Sequence, residues 1–183
     1  MANHATEEAV VTEDLSTRQT TPVSRERLID LLNEDLAREY QAIIAYVVYS
    51  QTIKGAAYIA IAQELVKHAG EELQHALLIA KQIDYLGGTP VVQAKPVRVS
   101  EDTPDMLWFD LQNENETIHN YRDRVRQCEG LGEFAMAETI RKILVQEQEH
   151  QIDLATALGK SPADVADIQG QPQAPRGGRE KRK

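Results

Sequence analysis

The chain of 183 residues carries a formal net charge of −9 and a single cysteine. That length suits one domain with tails, the charge makes the body a poor general binder of nucleic acid, and one thiol excludes an internal disulfide or a Cys-x-x-Cys redox pair. Such cysteine usage points to the reducing cytoplasm. The first twenty residues lack a basic stretch and a long apolar core, so no Sec-type signal is expected. Nor does any run approach eighteen apolar residues, so no membrane partner is expected.

Residues 1–23 are polar and read as a flexible tail. Ser24 is a helix-capping residue, and a first helix is expected from there to about Thr52. Gly55 interrupts, and a second helix follows from Ala56 to about Leu86. The segment GGTPVVQAKPVRVSEDTP, residues 87–104, holds two glycines and three prolines and reads as a long irregular connection. Within it VVQAKPVRV is the only stretch with strand-like alternation. A third helix begins near Pro104, a favourable first-turn residue, and ends near Glu129. GLGE turns the chain into a fourth helix reaching about Leu158, and residues 160–183 form a second tail with at most one helical turn. Helices of this length are about 40 Å long, and an extended connection of this size spans about 60 Å. The expectation is an all-α domain over residues 24–159: a four-helix bundle of two antiparallel hairpins with a long crossover between helices 2 and 3.

Each helix carries an apolar seam with 4,3 spacing. The seams run Leu32, Leu36, Glu39, Ile43, Tyr46; then Leu65, Ala69, Glu72, Ala76, Ile79; then Leu107, Leu111, Glu114, Ile118, Tyr121; then Met136, Ile140, Ile143, Glu147, His150, Leu154. One glutamate interrupts each seam. Four carboxylates in one core repel one another and are costly without a cation. Their spacing is regular. Glu39 and Glu72 are 33 residues apart, as are Glu114 and Glu147, while His75 and His150 each follow the second glutamate by three. A shift of 75 residues carries the first set onto the second, and also Asp35 onto Asp110 and Tyr46 onto Tyr121. The hairpins therefore read as pseudo-symmetric halves with their glutamates at one level. Glu and His at i, i+3 share a helix face and can grip one ion together. Four carboxylates and two imidazoles form a ligand set for a dinuclear centre.

LLNEDLAREYQAIIAY, EELQH, EDTPDMLWFDLQNE and EQEH resemble the corresponding helices of the ferritin superfamily, bacterioferritins above all, over about residues 25–158. The resemblance implies a ferritin-like fold and an intrasubunit di-iron site that oxidises Fe(II) to Fe(III) with O₂ or H₂O₂. It also implies storage of ferric mineral in a hollow homo-oligomer of 12 or 24 subunits. Glu39 is the terminal ligand it implies, with Tyr46 beside the site, and EELQH and EQEH supply the bridging glutamates and histidines. Glu39 with His75 would hold one ion, Glu114 with His150 the other, and Glu72 and Glu147 would bridge. One imidazole per ion favours iron, with manganese as the alternative. Haem-binding relatives place methionine directly after the bridging glutamate of helix 2; Leu73 stands there, so haem is not expected. Alternative functions are a di-iron or di-manganese peroxidase, catalase or oxidase, and a DNA-protecting miniferritin.

Asp35 and Asp110 are expected to accept the outer N–H of the opposite half's histidine. Tyr46 and Tyr121 fill the seam with hydroxyls in reach of ligand carboxylates. His68 is expected at the surface, and Cys128 is read as a buried inert thiol. The run AIIAYVVY, residues 42–49, is apolar all round its helix, which favours contact with another subunit. RGGREKRK, residues 176–183, has five basic residues and one acidic, net +4, which leaves −9 − 4 = −13 for the remainder. DNA is the partner such a basic arm would take, without sequence preference.

Overall fold

The computed structural model describes residues 23–165. The N-terminal tail up to residue 22 and the basic arm at 176–183 lie outside the described residues. Four long helices dominate: α1 (Arg25–Thr52), α2 (Ile59–Tyr85, after the 3₁₀ turn Ala56–Tyr58), α3 (Thr103–Gly130) and α4 (Phe134–Ala157). A one-turn α5 (Pro162–Val165) follows. The expected all-α bundle is the observed one. No helix among the described residues is long and apolar enough to cross a membrane.

Local chemistry sets the ends. The Ser24 side chain accepts a hydrogen bond from the Arg27 amide and caps α1. α2 stops at a glycine pair. Gly87 takes the left-handed conformation (φ 85°), and the Gly88 amide reaches back to the Ile83 carbonyl at 2.9 Å. A Cβ on Gly88 would lie 2.5 Å from the Ile29 side chain, so α1 packs where only glycine fits.

The connection 86–102 is irregular throughout, including the stretch with strand-like alternation. It runs along α1 by serial hydrogen bonds. Asn33 donates to Thr89 O and accepts from the Val91 amide (3.1 and 2.7 Å). The Lys95 amide donates to Ala37 O at 3.0 Å, Gln41 donates to Pro96 O at 2.6 Å, and the Tyr49 hydroxyl donates to Arg98 O. Thr103 then meets the backbone of Lys54 beyond the far end of α1. The connection thus returns the chain to the C-terminal end of α1, so α3 runs antiparallel to it. α1 packs chiefly on α2 and α3 on α4, and the hairpins meet along α1–α3 and α2–α4.

Two apolar clusters fill the bundle. One contains Leu28, Leu32, Leu36, Ile79, Ile83, Met136 and Ile140. The other contains Tyr49, Ile61, Leu65, Leu107, Leu111 and Leu154. Between them lies the layer of seam glutamates. Val165 of α5 is buried against the second cluster, and its carbonyl accepts from Asn115 at 2.7 Å. The first residues of the stretch read as a C-terminal tail are therefore packed on α3. Cys128 is buried, and burial pushes its thiol up to about 12, which keeps it protonated and unreactive.

Asp35 forms a buried ion pair with Arg124: Nε donates to Oδ2 at 2.7 Å and Nη2 to Oδ1 at 3.4 Å. Removing one partner of such a pair strands the other. Arg124→Ala should cost about 3–5 kcal/mol in a denaturant titration. Arg141→Ala, which breaks an exposed pair with Glu129, should cost less than about 1 kcal/mol.

Candidate metal centre

Glu39 on α1, Glu72 and His75 on α2, Glu114 on α3, and Glu147 and His150 on α4 are all at most 3 % exposed. Potential ligand atoms of Glu39, Glu72, His75 and Glu147 lie within 4.8 Å of one another. Those of Glu72, Glu114, Glu147 and His150 do the same. Glu72 and Glu147 belong to both groups. The atoms show why. Glu72 turns Oε2 to His75 Nδ1 (3.1 Å) and Oε1 to His150 Nδ1 (2.8 Å). Glu147 turns Oε1 to His75 Nδ1 (3.0 Å) and Oε2 to His150 Nδ1 (3.6 Å). Each carboxylate spans both imidazoles, while Glu39 and Glu114 serve one group each.

The tyrosines interlock the halves. Tyr46 donates to Glu114, and Tyr121 donates to Glu39. The outer imidazole nitrogens are bound elsewhere than expected. His75 Nε2 meets Gln146 Oε1, and His150 Nε2 meets Glu71 Oε2, each at 2.9 Å. An amide oxygen can only accept, so His75 donates an Nε2 proton to Gln146 and turns Nδ1 to the carboxylates. Asp35 and Asp110 do not make these bonds. Asp35 is occupied by Arg124, and Asp110 Oδ2 is buried with no hydrogen-bond partner. Sequence reasoning missed Glu71 and Gln146, although each directly precedes a bridging-position glutamate and the 75-residue shift relates them. It also misplaced His68, which is 1 % exposed.

Charge compensation explains the protonation pattern. Burial, then repulsion from Glu72 and Glu147, holds Glu39 well above the usual carboxylate range. Burial and the same two neighbours raise Glu114. For Glu72, burial acts upward, but hydrogen bonds from His150 and His75 outweigh it and hold the carboxyl low. Glu147 is lowered by the same histidines against burial and Glu72. His75 and His150 are depressed by burial, yet their carboxylate neighbours raise both, His150 to about 12. Glu114 Oε2 is buried without a hydrogen-bond partner. Oxygen and nitrogen donors so arranged fit two divalent cations, whose charge would balance four carboxylates as +4 − 4 = 0.

A narrow cleft of about 10 Å³ reaches the carboxylates between α1 and α3, with Arg38, Gln41, Asn113 and Thr117 at its walls. It has room for about one water or ion.

The chain matches the family model described as the ferritin-like domain over residues 29–163. A bacterioferritin of Brucella melitensis is 24% identical over 156 residues, covering 77% of this chain and 97% of that protein. Among solved structures, a ferritin-like diiron-carboxylate protein of Bacillus anthracis superposes with a TM-score of 0.71 at 34% identity, covering 73% of this chain and 96% of that one. A dodecameric thioferritin of Bacteroides fragilis, described as bacterioferritin-related, gives a TM-score of 0.69 at 28% identity, covering 79% and 89%.

Divalent cations bound in the layer would displace protons from the histidines and from the raised carboxyls of Glu39 and Glu114. Oxygen-free calorimetry in buffers of different ionisation heat should therefore read a net release of protons as ions bind. Because protons compete for the ligands, apparent affinity should fall as pH is lowered.

Proposed function

The chain belongs to the ferritin-like domain family, and on that premise we propose that it stores iron by way of a ferroxidase site within each subunit. The observation that carries this reading is the pair of glutamates, 72 and 147, each turning one oxygen to each imidazole. Glu39 and His75 hold one Fe(II), Glu114 and His150 the other, and Glu72 and Glu147 bridge. Iron is here the substrate and then the cargo. Two ions held together supply two electrons at once: 2 Fe(II) + O₂ + 2 H⁺ give 2 Fe(III) + H₂O₂, and H₂O₂ can serve as the next oxidant. Tyr46 and Tyr121 fix the terminal carboxylates, while Gln146 and Glu71 fix the ring planes. The α1–α3 cleft is the entry route, since carboxylates of all four helices line it.

Storage needs a shell, and the subunit offers surfaces for one. Ile44 and Val47 on α1 and Leu73 and Leu77 on α2 are 46–58% exposed, an arrangement suited to burial between copies. The reading is thus a cytoplasmic homo-oligomer that takes up Fe(II) and releases no free ferric ion.

Oxygen-free Fe(II) titration should saturate its tight phase at two ions per chain, and admitted O₂ should then raise the ferric absorbance rapidly. Glu72→Ala and Glu147→Ala should each abolish that fast phase while light scattering still reports the wild-type oligomer. Saturation at one ion, or wild-type rates in either variant, would sink the dinuclear assignment.

A further inference from the structure

The α1–α3 cleft lies where the two halves face each other, so its residues come in pairs related by the 75-residue shift. Glu39 and Glu114 are one pair, Glu72 and Glu147 a second, and Ala42 and Thr117 a third. Four carboxylates at the floor of a cleft attract cations. One position works against that attraction. Arg38 lines the cleft from α1, and its counterpart on α3 is the neutral Asn113. An uncharged side chain serves at the equivalent place, so packing does not call for the guanidinium. Arg38 is the one basic residue among the described residues that line the cleft.

The guanidinium is directed to the rim and not to the floor. Arg38 Nη2 donates to Glu116 on α3 and so joins the two helices that wall the cleft. The Arg38 side chain is 14% exposed and that of Glu116 53%, so the pair runs from the interior outwards. Arg38 Nε is buried without a hydrogen-bond partner. The shift carries Gln41 onto Glu116, so the counterpart of the Arg38–Glu116 pair is Asn113 with Gln41. The crossover draws Gln41 off, since its amide donates to Pro96 O at 2.6 Å. The rim is thus held on one side by an ion pair, with its cation above four buried glutamates.

We propose that Arg38 is the selectivity residue of this cleft: its charge, partly cancelled by Glu116, sets the rate at which divalent cations pass to the centre and leaves the passage of an uncharged oxidant unaffected. The cleft has room for about one water, so whatever passes must come close to the guanidinium. A divalent cation is repelled there, whereas O₂ and H₂O₂ carry no charge. Because the guanidinium stands at the rim, it acts on the passing ion more than on the bound one. It therefore slows arrival and departure alike, and an ion that has entered is retained. Glu116 moderates this, because its carboxylate cancels part of the positive field. The proposal rests on the cleft being the route to the centre; its cation half needs no oxidation.

The test uses full-length apo-protein without oxygen and Co(II) as a redox-stable probe. Stopped-flow absorbance follows association, and transfer to a chelator follows release. Arg38→Gln should raise both rate constants by about tenfold and leave the dissociation constant within about twofold of wild type. Glu116→Gln, which leaves the guanidinium unbalanced, should lower both. Arg141→Gln, an equal change of net charge at an exposed pair with Glu129, should leave both near wild type. In protein preloaded with Fe(II), the reaction with O₂ should run at the wild-type rate in Arg38→Gln. Wild-type Co(II) rates in Arg38→Gln, or a change no larger than that of Arg141→Gln, overturn the proposal. A shifted dissociation constant at an unchanged association rate overturns it too, because Arg38 would then act on the bound ion and not on its passage. An altered oxidation rate in preloaded protein overturns the selection between ion and oxidant. Faster Co(II) binding in Arg38→Gln, with no oxidation of Fe(II) by wild type, removes the ferroxidase reading and leaves the cation half standing.

Discussion

Four carboxylates and two imidazoles buried at mid-bundle are the constraint on which the rest of the structure depends. Burying unpaired charge is prohibitive, so the layer must neutralise itself with protons or with cations. The protein meets this by sharing. Hydrogen bonds from the histidines hold Glu72 and Glu147 low, while burial and their two charges hold Glu39 and Glu114 well above the usual carboxylate range under the hydroxyls of Tyr121 and Tyr46. The apolar clusters on either side hold the helices so that the groups cannot separate and hydrate. An all-apolar layer would give a more stable bundle, so the polar layer is retained at a cost in stability, and cation binding is the gain the proposed function assigns to it.

The halves are alike where they bind and unlike where they are supported. Terminal glutamates, bridging-position glutamates, histidines and tyrosines all follow the 75-residue shift. Asp35 and Asp110 follow it too, yet their surroundings diverge. Asp35 faces Arg124, whose counterpart in the other half is Tyr49. Tyr49 instead anchors the crossover at Arg98. The long connection therefore replaces one ion pair, and Asp110 is left with a buried oxygen unpaired, its carboxyl raised by burial and by the Glu72 charge. A crossover can lie along only one hairpin, so perfect internal symmetry is closed to this topology.

Much of this was legible in the sequence because it is periodic. Seam glutamates stand out against leucine and isoleucine, and the equal spacings of 33 and 75 residues fix the pairing of helices without any contact information. The tyrosines lie on the same seam, and their reach to the carboxylates followed from that. The imidazole partners did not. Glu71 and Gln146 sit one residue off the seam, and whether they or the aspartates meet a ring is decided by the α2–α4 separation, which no single helix encodes. His68 was misread for the same reason. On an isolated α2 it flanks the seam, and the approach of Tyr46 on α1 and of His150 and Asp153 on α4 covers it. The path of the crossover was legible as length alone, because its hydrogen bonds pair irregular backbone with Asn33, Gln41 and Tyr49, positions that carry no periodic mark.

The support asymmetry bears on how the two proposed metal positions differ. His75 leans on the neutral amide of Gln146, whereas His150 leans on the carboxylate of Glu71 and stacks on His68. A carboxylate partner makes an imidazole the stronger electron donor, and an amide does so less. The His150 position is therefore the more electron-rich of the two, and it is also the one adjoining charged, partly hydrated side chains. On the proposed function, a symmetric pair of bridging carboxylates would thus join two metal positions with unlike support. That difference arises from single-residue departures between the two halves.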